Sequence, residues 1–180
     1  MHNVSQHAVY WFVSAVLIVA AIIDGRQLRV PNWLTYPFAL SGLVASLFPG
    51  GLGIWSSLGG LALGLALLLP LYAVGGMGAG DVKLLAGVGA WIGSTLVGYA
   101  FIATALVGAI MAIERMITSG RLALHLQRMG QITREWITIR NPSTLAALAA
   151  ERKPSMTLLP YAIPMAIGTI GFFASFGLLF

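Results

Sequence analysis

The chain contains no cysteine, and only ten basic and five acidic residues among its 180. The missing cysteines exclude a disulfide scaffold and any thiolate zinc site. A charged fraction of 8% cannot coat a water-facing surface, because soluble domains carry about 25%. The same shortage excludes intrinsic disorder, which needs high charge and few hydrophobics. What the sequence does have is apolar side chains, at 58% of residues, with a mean hydropathy of +0.90. That balance predicts an all-α, polytopic membrane protein. At roughly 20 residues per crossing, this length holds at most seven or eight spans.

Apolar runs and their breaks predict six transmembrane helices at about 8–23, 34–48, 52–74, 82–93, 95–117 and 156–179. Residues 1–180 read as a single membrane-embedded domain without an internal repeat. The flank Met1–His7 has neither Lys nor Arg, so the first run reads as a retained helix rather than a cleaved signal. Asp24 to Trp33 reads as a polar loop, Gly75 to Asp81 as a flexible break, and Gly93-Ser94 as a turn. The polar stretch 118–155 spaces Leu122, Leu126, Met129, Ile132 and Trp136 three or four residues apart among arginines. This is the pattern of an amphipathic helix on an anionic membrane surface, with a solvated linker helix as the plainer reading.

All ten cations lie in or beside the segments 24–33, 75–83 and 118–155. Those segments share one side when the chain crosses six times, and the positive-inside rule makes that side cytoplasmic with both termini outside. The net charge of +5 then reflects topology and anionic lipid, with no nucleic-acid partner implied. Merging residues 84–117 into one span would break this agreement.

Five carboxylates are few enough to weigh singly. Glu114 stands beside Arg115, and Glu135 and Glu151 lie within the basic loop. Asp24 and Asp81 instead sit where apolar helix meets loop, on the same expected face. A carboxylate at membrane depth is costly and tends to mark function. A helix cap is the structural alternative for either one, Asp81 especially, since it follows glycines and opens a helix. Two such residues on one face favour a shared site. Neighbouring carboxylates share a proton, so one can act as base on a water while the other polarises a carbonyl. Two aspartates alone make a poor metal site, and nothing in the sequence calls for a cofactor. The glycines at 75, 76, 78 and 80 permit close backbone approach. A phosphate cradle fits them badly: the Gly-x4-Gly-Lys spacing is absent and Asp81 would repel the anion.

The run Gly78-Ala79-Gly80-Asp81-Val82-Lys83 resembles the GxGD motif of type IV prepilin peptidases. Asp24, with Val30-Pro31-Asn32-Trp33-Leu34 after it, is similar to that family's first aspartate and its Ile-Pro-Asn-x-Leu sequel. Leu159-Pro160-Tyr161-Ala162 is similar to its Pro-Tyr/Phe-Gly segment. The resemblance runs from about residue 20 to 168. It implies an aspartyl endopeptidase of the bacterial inner membrane that removes the basic leader of prepilins or pseudopilins at the cytoplasmic face. Asp24 and Asp81 would form the catalytic dyad. Gly78, Gly80, Lys83, Pro31, Asn32, Pro160 and Tyr161 would shape the loop or bind substrate. Bifunctional members add a cysteine-bearing domain and N-methylate the product; this chain has neither, so methylation is not expected. Its size is similar to short members that process Flp-type pilins of tight-adherence systems.

Two other readings compete. Presenilin-like enzymes share GxGD chemistry but carry a Tyr-Asp first motif, where here Ile23 precedes Asp24. A small transporter or secretion-assembly component would use the aspartates as a proton or cation relay, although such sites usually lie at the membrane midplane. The sequence leaves the oligomeric state and the cognate prepilin open.

Overall fold

The computed structural model describes residues 2–73, 76–118, 130, 138 and 160–180. The expected amphipathic stretch at 118–155 lies almost wholly outside these residues. The described elements are all helical: α1 (His2–Gln27), α2 (Asn32–Ala45), α3 (Ile54–Ala73), α4 (Ala79–Thr118) and α5 (Ala162–Ser175). No strand occurs among the described residues.

Six membrane spans were expected, and the structure bears this out only in part. Among the described residues, three helices are long and apolar enough to cross a membrane: His7–Gln27 of α1, Ile54–Ala73 and Ala79–Thr118. α2 and α5 have 14 residues each, which at 1.5 Å per residue is about 21 Å, short of a hydrocarbon core of about 30 Å. Within the 40 residues of α4, the segments expected at 82–93 and 95–117 are two helical arms separated at Gly93. Gly93 has φ 81° and ψ 174°, a backbone conformation that L side chains avoid, so the chain turns where the sequence placed a turn. The polar loop expected from Asp24 is also shorter than read. α1 continues to Gln27, and Leu28, at φ 52°, closes it by donating its N–H to the Asp24 carbonyl at 2.8 Å.

Contacts between small residues fix the direction of each segment. A Cβ on Gly60 would collide with the Gly89 carbonyl, and one on Gly64 with the Leu85 carbonyl at 2.6 Å. α3 is therefore antiparallel to the first arm of α4. Gly42 meets Ala90 and Trp91 while Gly87 meets Phe38, so α2 runs parallel to that arm. Past Gly93 the order reverses. Gly108 meets Tyr161, Gly168 meets Thr104, and Tyr99 stacks on Phe172 at 6.0 Å. α5 is thus antiparallel to the second arm, and α1 is antiparallel to α5 through Gly25–Ile163 and Tyr10–Phe173.

The first arm of α4 is the core of the bundle, with Val82, Leu84, Leu85 and Val88 buried on successive turns. Glycines let α2 and α3 close on it without gaps, the arrangement that substitutes for hydrophobic driving force inside a membrane. Large apolar side chains such as Leu69, Ile102, Leu106 and Ile110 face outward, as lipid contact requires. One end of the bundle gathers His7, Trp11 and the chain's last residues, where Trp11 Nε1 donates to the Leu179 carbonyl at 3.1 Å. The other end holds Asp24 and Asp81.

Candidate active site

Asp24 lies in the last full turn of α1 and points inward, only 2% exposed. Its Oδ2 accepts the N–H of Ala162 at 3.0 Å. Ala162 is the first residue of α5, so the free N–H and the positive end of that helix face the carboxylate. A segment 138 residues away thereby completes the surroundings of Asp24.

Asp81 is the third residue of α4 and is 6% exposed. Its Oδ2 accepts the Gly78 N–H at 3.2 Å, a reach back from the first turn to the residue before the helix, as in half a capping box. The cap reading therefore explains one oxygen. The other, Oδ1, is buried without a hydrogen-bond partner among the described residues. An unpaired buried acceptor costs about 1–3 kcal/mol, which helix capping alone gives no reason to spend. Asp24 lies close enough to Asp81 for their charges to interact, and Tyr161 is within reach of the Asp81 charge as well.

Glycines set the approach of the two loops. A Cβ on Gly80 would stand 2.5 Å from the Val30 carbonyl oxygen, and one on Gly78 would stand 3.3 Å from Asp81 Oδ2. Only glycine lets the segment before Asp81 lie flat on the segment after Asp24. Pro31 starts α2 in an extended conformation (φ −74°, ψ 148°), and its carbonyl accepts the N–H groups of Leu34 and Thr35. Lys83 then fastens the two segments from outside. Its Nζ donates to Asn32 Oδ1 at 2.9 Å and stands 4.6 Å from the centre of the Tyr36 ring. On the third side, the Pro160 carbonyl accepts the N–H of Ile163, and the Tyr161 ring lies against Gly108.

The structure thus brings every residue singled out in the sequence to one end of the bundle: Asp24, Asp81, Gly78, Gly80, Pro31, Asn32, Lys83, Pro160 and Tyr161. Sequence reasoning missed Val30, Tyr36, the Ala162 N–H and Met77, which is 2% exposed and anchors the loop before Gly78 in the core. Met77 had a legible signal, one large apolar residue within a run of glycines; the backbone donor had none. Arg26 and Arg29 are exposed at this same end. Among the described residues no three His, Asp or Glu side chains gather to hold a metal ion. A cavity of about 350 Å³ lies at the opposite end, between Tyr10, Ser46 and Trp91, and no carboxylate lines it.

A family model described as the type IV leader peptidase family matches residues 11–113, more than half the chain and both aspartate segments. The chain belongs to that family. Three similar curated proteins are each named prepilin leader peptidase/N-methyltransferase. The one from Aeromonas hydrophila is 34% identical over 105 residues, covering 54% of this chain and 36% of the relative. The one from Neisseria gonorrhoeae is 32% identical over 116 residues, covering 61% and 41%. The one from Bacillus subtilis (strain 168) is 35% identical over 115 residues, covering 62% and 45%. The match thus spans less than half the length of these relatives. No solved structure matches.

Proposed function

We propose that the chain is a prepilin leader peptidase that hydrolyses one peptide bond through Asp24 and Asp81. The carrying observation is their convergence. Two carboxylates from segments 57 residues apart are buried at one end of a membrane bundle, within reach of each other's charge. In the hydrolysis one aspartate takes a proton from water as its oxygen bonds to the scissile carbonyl carbon. The other, protonated, donates a hydrogen bond to the carbonyl oxygen. Collapse of the tetrahedral intermediate breaks the C–N bond, and the departing nitrogen takes up a proton, leaving a new carboxylate and a new amine.

Six crossings follow if each arm of α4 is one pass, as its reversal at Gly93 supports. The four described cations, Arg26, Arg29, Lys83 and Arg115, then mark the cytoplasmic face. Both termini lie outside, in a bacterial inner membrane. The substrate is a prepilin or pseudopilin of the Flp type. Leader cleavage, not methyl transfer, is assigned to these 180 residues, which lack cysteine entirely. The residues from 118 to 155 meet anionic lipid.

The test is leader removal from a co-expressed Flp-type prepilin in membranes, with mass measurement of the mature product. Wild type cuts, while Asp24→Asn and Asp81→Asn accumulate the precursor. Normal processing by either folded variant overturns the dyad. A proton or solute flux lost in both variants, with the prepilin uncut by wild type, would restore the transporter reading.

A further inference from the structure

Thr35 carries a polar atom that the fold leaves unused. Its side chain is fully buried, and its Oγ1 has no hydrogen-bond partner among the described residues. Buried hydroxyls are almost always paired, commonly in helices with a carbonyl one turn back. Here the Pro31 carbonyl, one turn back, receives the N–H groups of Leu34 and Thr35 instead.

The position of Thr35 follows from its neighbours. Thr35, Phe38 and Gly42 are the buried residues of α2 and form one stripe at helical spacing. Phe38 packs on Gly87, and Gly42 on Ala90, so the stripe faces the first arm of α4. On the site side of Thr35, Val30 touches Gly80 and Asn32 binds Lys83. Thr35 therefore faces α4 between the levels of Lys83 and Gly87, at the end of the arm that carries Asp81. Asp81 supplies the other unpaired atom, Oδ1. The described bundle has four such atoms, and these two lie on packed helices at the same end.

We propose that Thr35 is a positioning residue for Asp81, with its hydroxyl and Asp81 Oδ1 joined through one bridging water. Both atoms need a partner, and a buried water needs two or more polar contacts. The bridge leaves Oδ2 to Gly78 and fixes the rotation of the carboxyl group about its Cβ–Cγ bond. Thr35 itself touches no substrate. This inference rests on the peptidase reading above and adds a residue to it.

The test pairs Thr35→Val, which keeps shape and removes the hydroxyl, with Thr35→Ser, which keeps the hydroxyl. Thr35→Val should lower kcat for leader cleavage about tenfold to a hundredfold with KM little changed, and should alter the pH profile of kcat. Thr35→Ser should restore both. Wild-type kcat in Thr35→Val, or equal losses in the two variants, overturns the proposal. A second measurement needs no activity: thermal midpoints of Thr35→Val, Asp81→Asn and the double variant in detergent. The shifts of coupled residues do not add, and strict additivity overturns the bridge. If wild type cleaves no prepilin while the midpoints couple, the peptidase reading fails and the Thr35–Asp81 link stands.

Discussion

The first arm of α4 differs sharply between its two ends. Near Gly89 it is a packing surface. Backbones of α3 and α4 touch at Gly60 and Gly89, and the nearby buried hydroxyl of Ser57 donates to the Ala90 carbonyl at 2.6 Å. Two to three turns earlier the same helix buries Asp81 with one oxygen paired and the other not. Close contact of small residues there serves a different purpose, since Gly80 against Val30 brings the two aspartate segments together. One stretch of helix thus stabilises at one end and holds a costly polar group at the other. Such a group is retained where function requires it and surrounding packing supports it.

The comparison breaks most visibly at the aspartates. Asp24→Asn and Asp81→Asn should each reduce leader cleavage by about 10³-fold or more, because both steps of proton traffic need a carboxyl group. Neither variant should melt earlier than wild type, since each replaces a buried acid by a neutral side chain of the same shape. Quantitative immunoblotting of precursor and product, beside a thermal melt in detergent, separates the two effects. A large loss of stability with either substitution would make the carboxylates structural.

At the packing end the order reverses. Gly89→Val pushes a branched side chain into the Gly60 backbone, a collision with no flexible partner to yield. Overpacking of this kind costs about 1–3 kcal/mol, and more where backbone must move. The thermal midpoint should drop, while cleavage per folded molecule stays near wild type. Gly80→Ala is the intermediate case. Its Cβ would meet the Val30 carbonyl oxygen at 2.5 Å, and relief requires the two loops to separate. Cleavage should fall roughly tenfold to a hundredfold, as expected for a displacement of about 1 Å at the reacting groups. The midpoint should shift less than for Gly89→Val. Equal damage from both substitutions would mean that the two ends of the arm are one mechanical unit.

Class was legible in the sequence because it rests on scarcity. So little charge leaves only a membrane protein, and five acidic residues are few enough that the two at helix ends, Asp24 and Asp81, stand out before the structure buries both. Boundaries were less legible. Asp24-Gly25 looks like the start of a loop, yet the helix runs three residues further because Leu28 takes a left-handed conformation that sequence does not announce. The break at Gly93, by contrast, was legible: a Gly-Ser pair between two apolar runs announced a turn, and Gly93 takes the positive φ that makes one. The Ala162 N–H on Asp24 was invisible because backbone donors carry no residue type. Thr35 was passed over for a related reason: one hydroxyl in an apolar stripe looks like tolerated polarity until the structure shows it buried with no partner among the described residues.

The finest distinction lies on the outside of the site, at Lys83. Its ammonium holds Asn32 and the Tyr36 ring, tying the first turn of α4 to the first turns of α2. Asn32 is exposed, so water competes for the bond and its net worth is small, about 0.5–1 kcal/mol. Lys83→Met keeps the length and apolar body of the side chain while removing the charge and all three donors. If Lys83 acts only as a fastener, cleavage should fall about twofold to fivefold and Asn32→Ala should reproduce the loss. The double variant would then be no worse than either single one, because both remove the same bond. If Lys83 instead meets the substrate directly, Lys83→Met should raise KM well beyond Asn32→Ala. Steady-state cleavage of a synthetic leader peptide by the three variants decides between them. A fastener extends the glycine contact at Val30 into a continuous seam; a substrate contact would place the edge of the binding surface at α2.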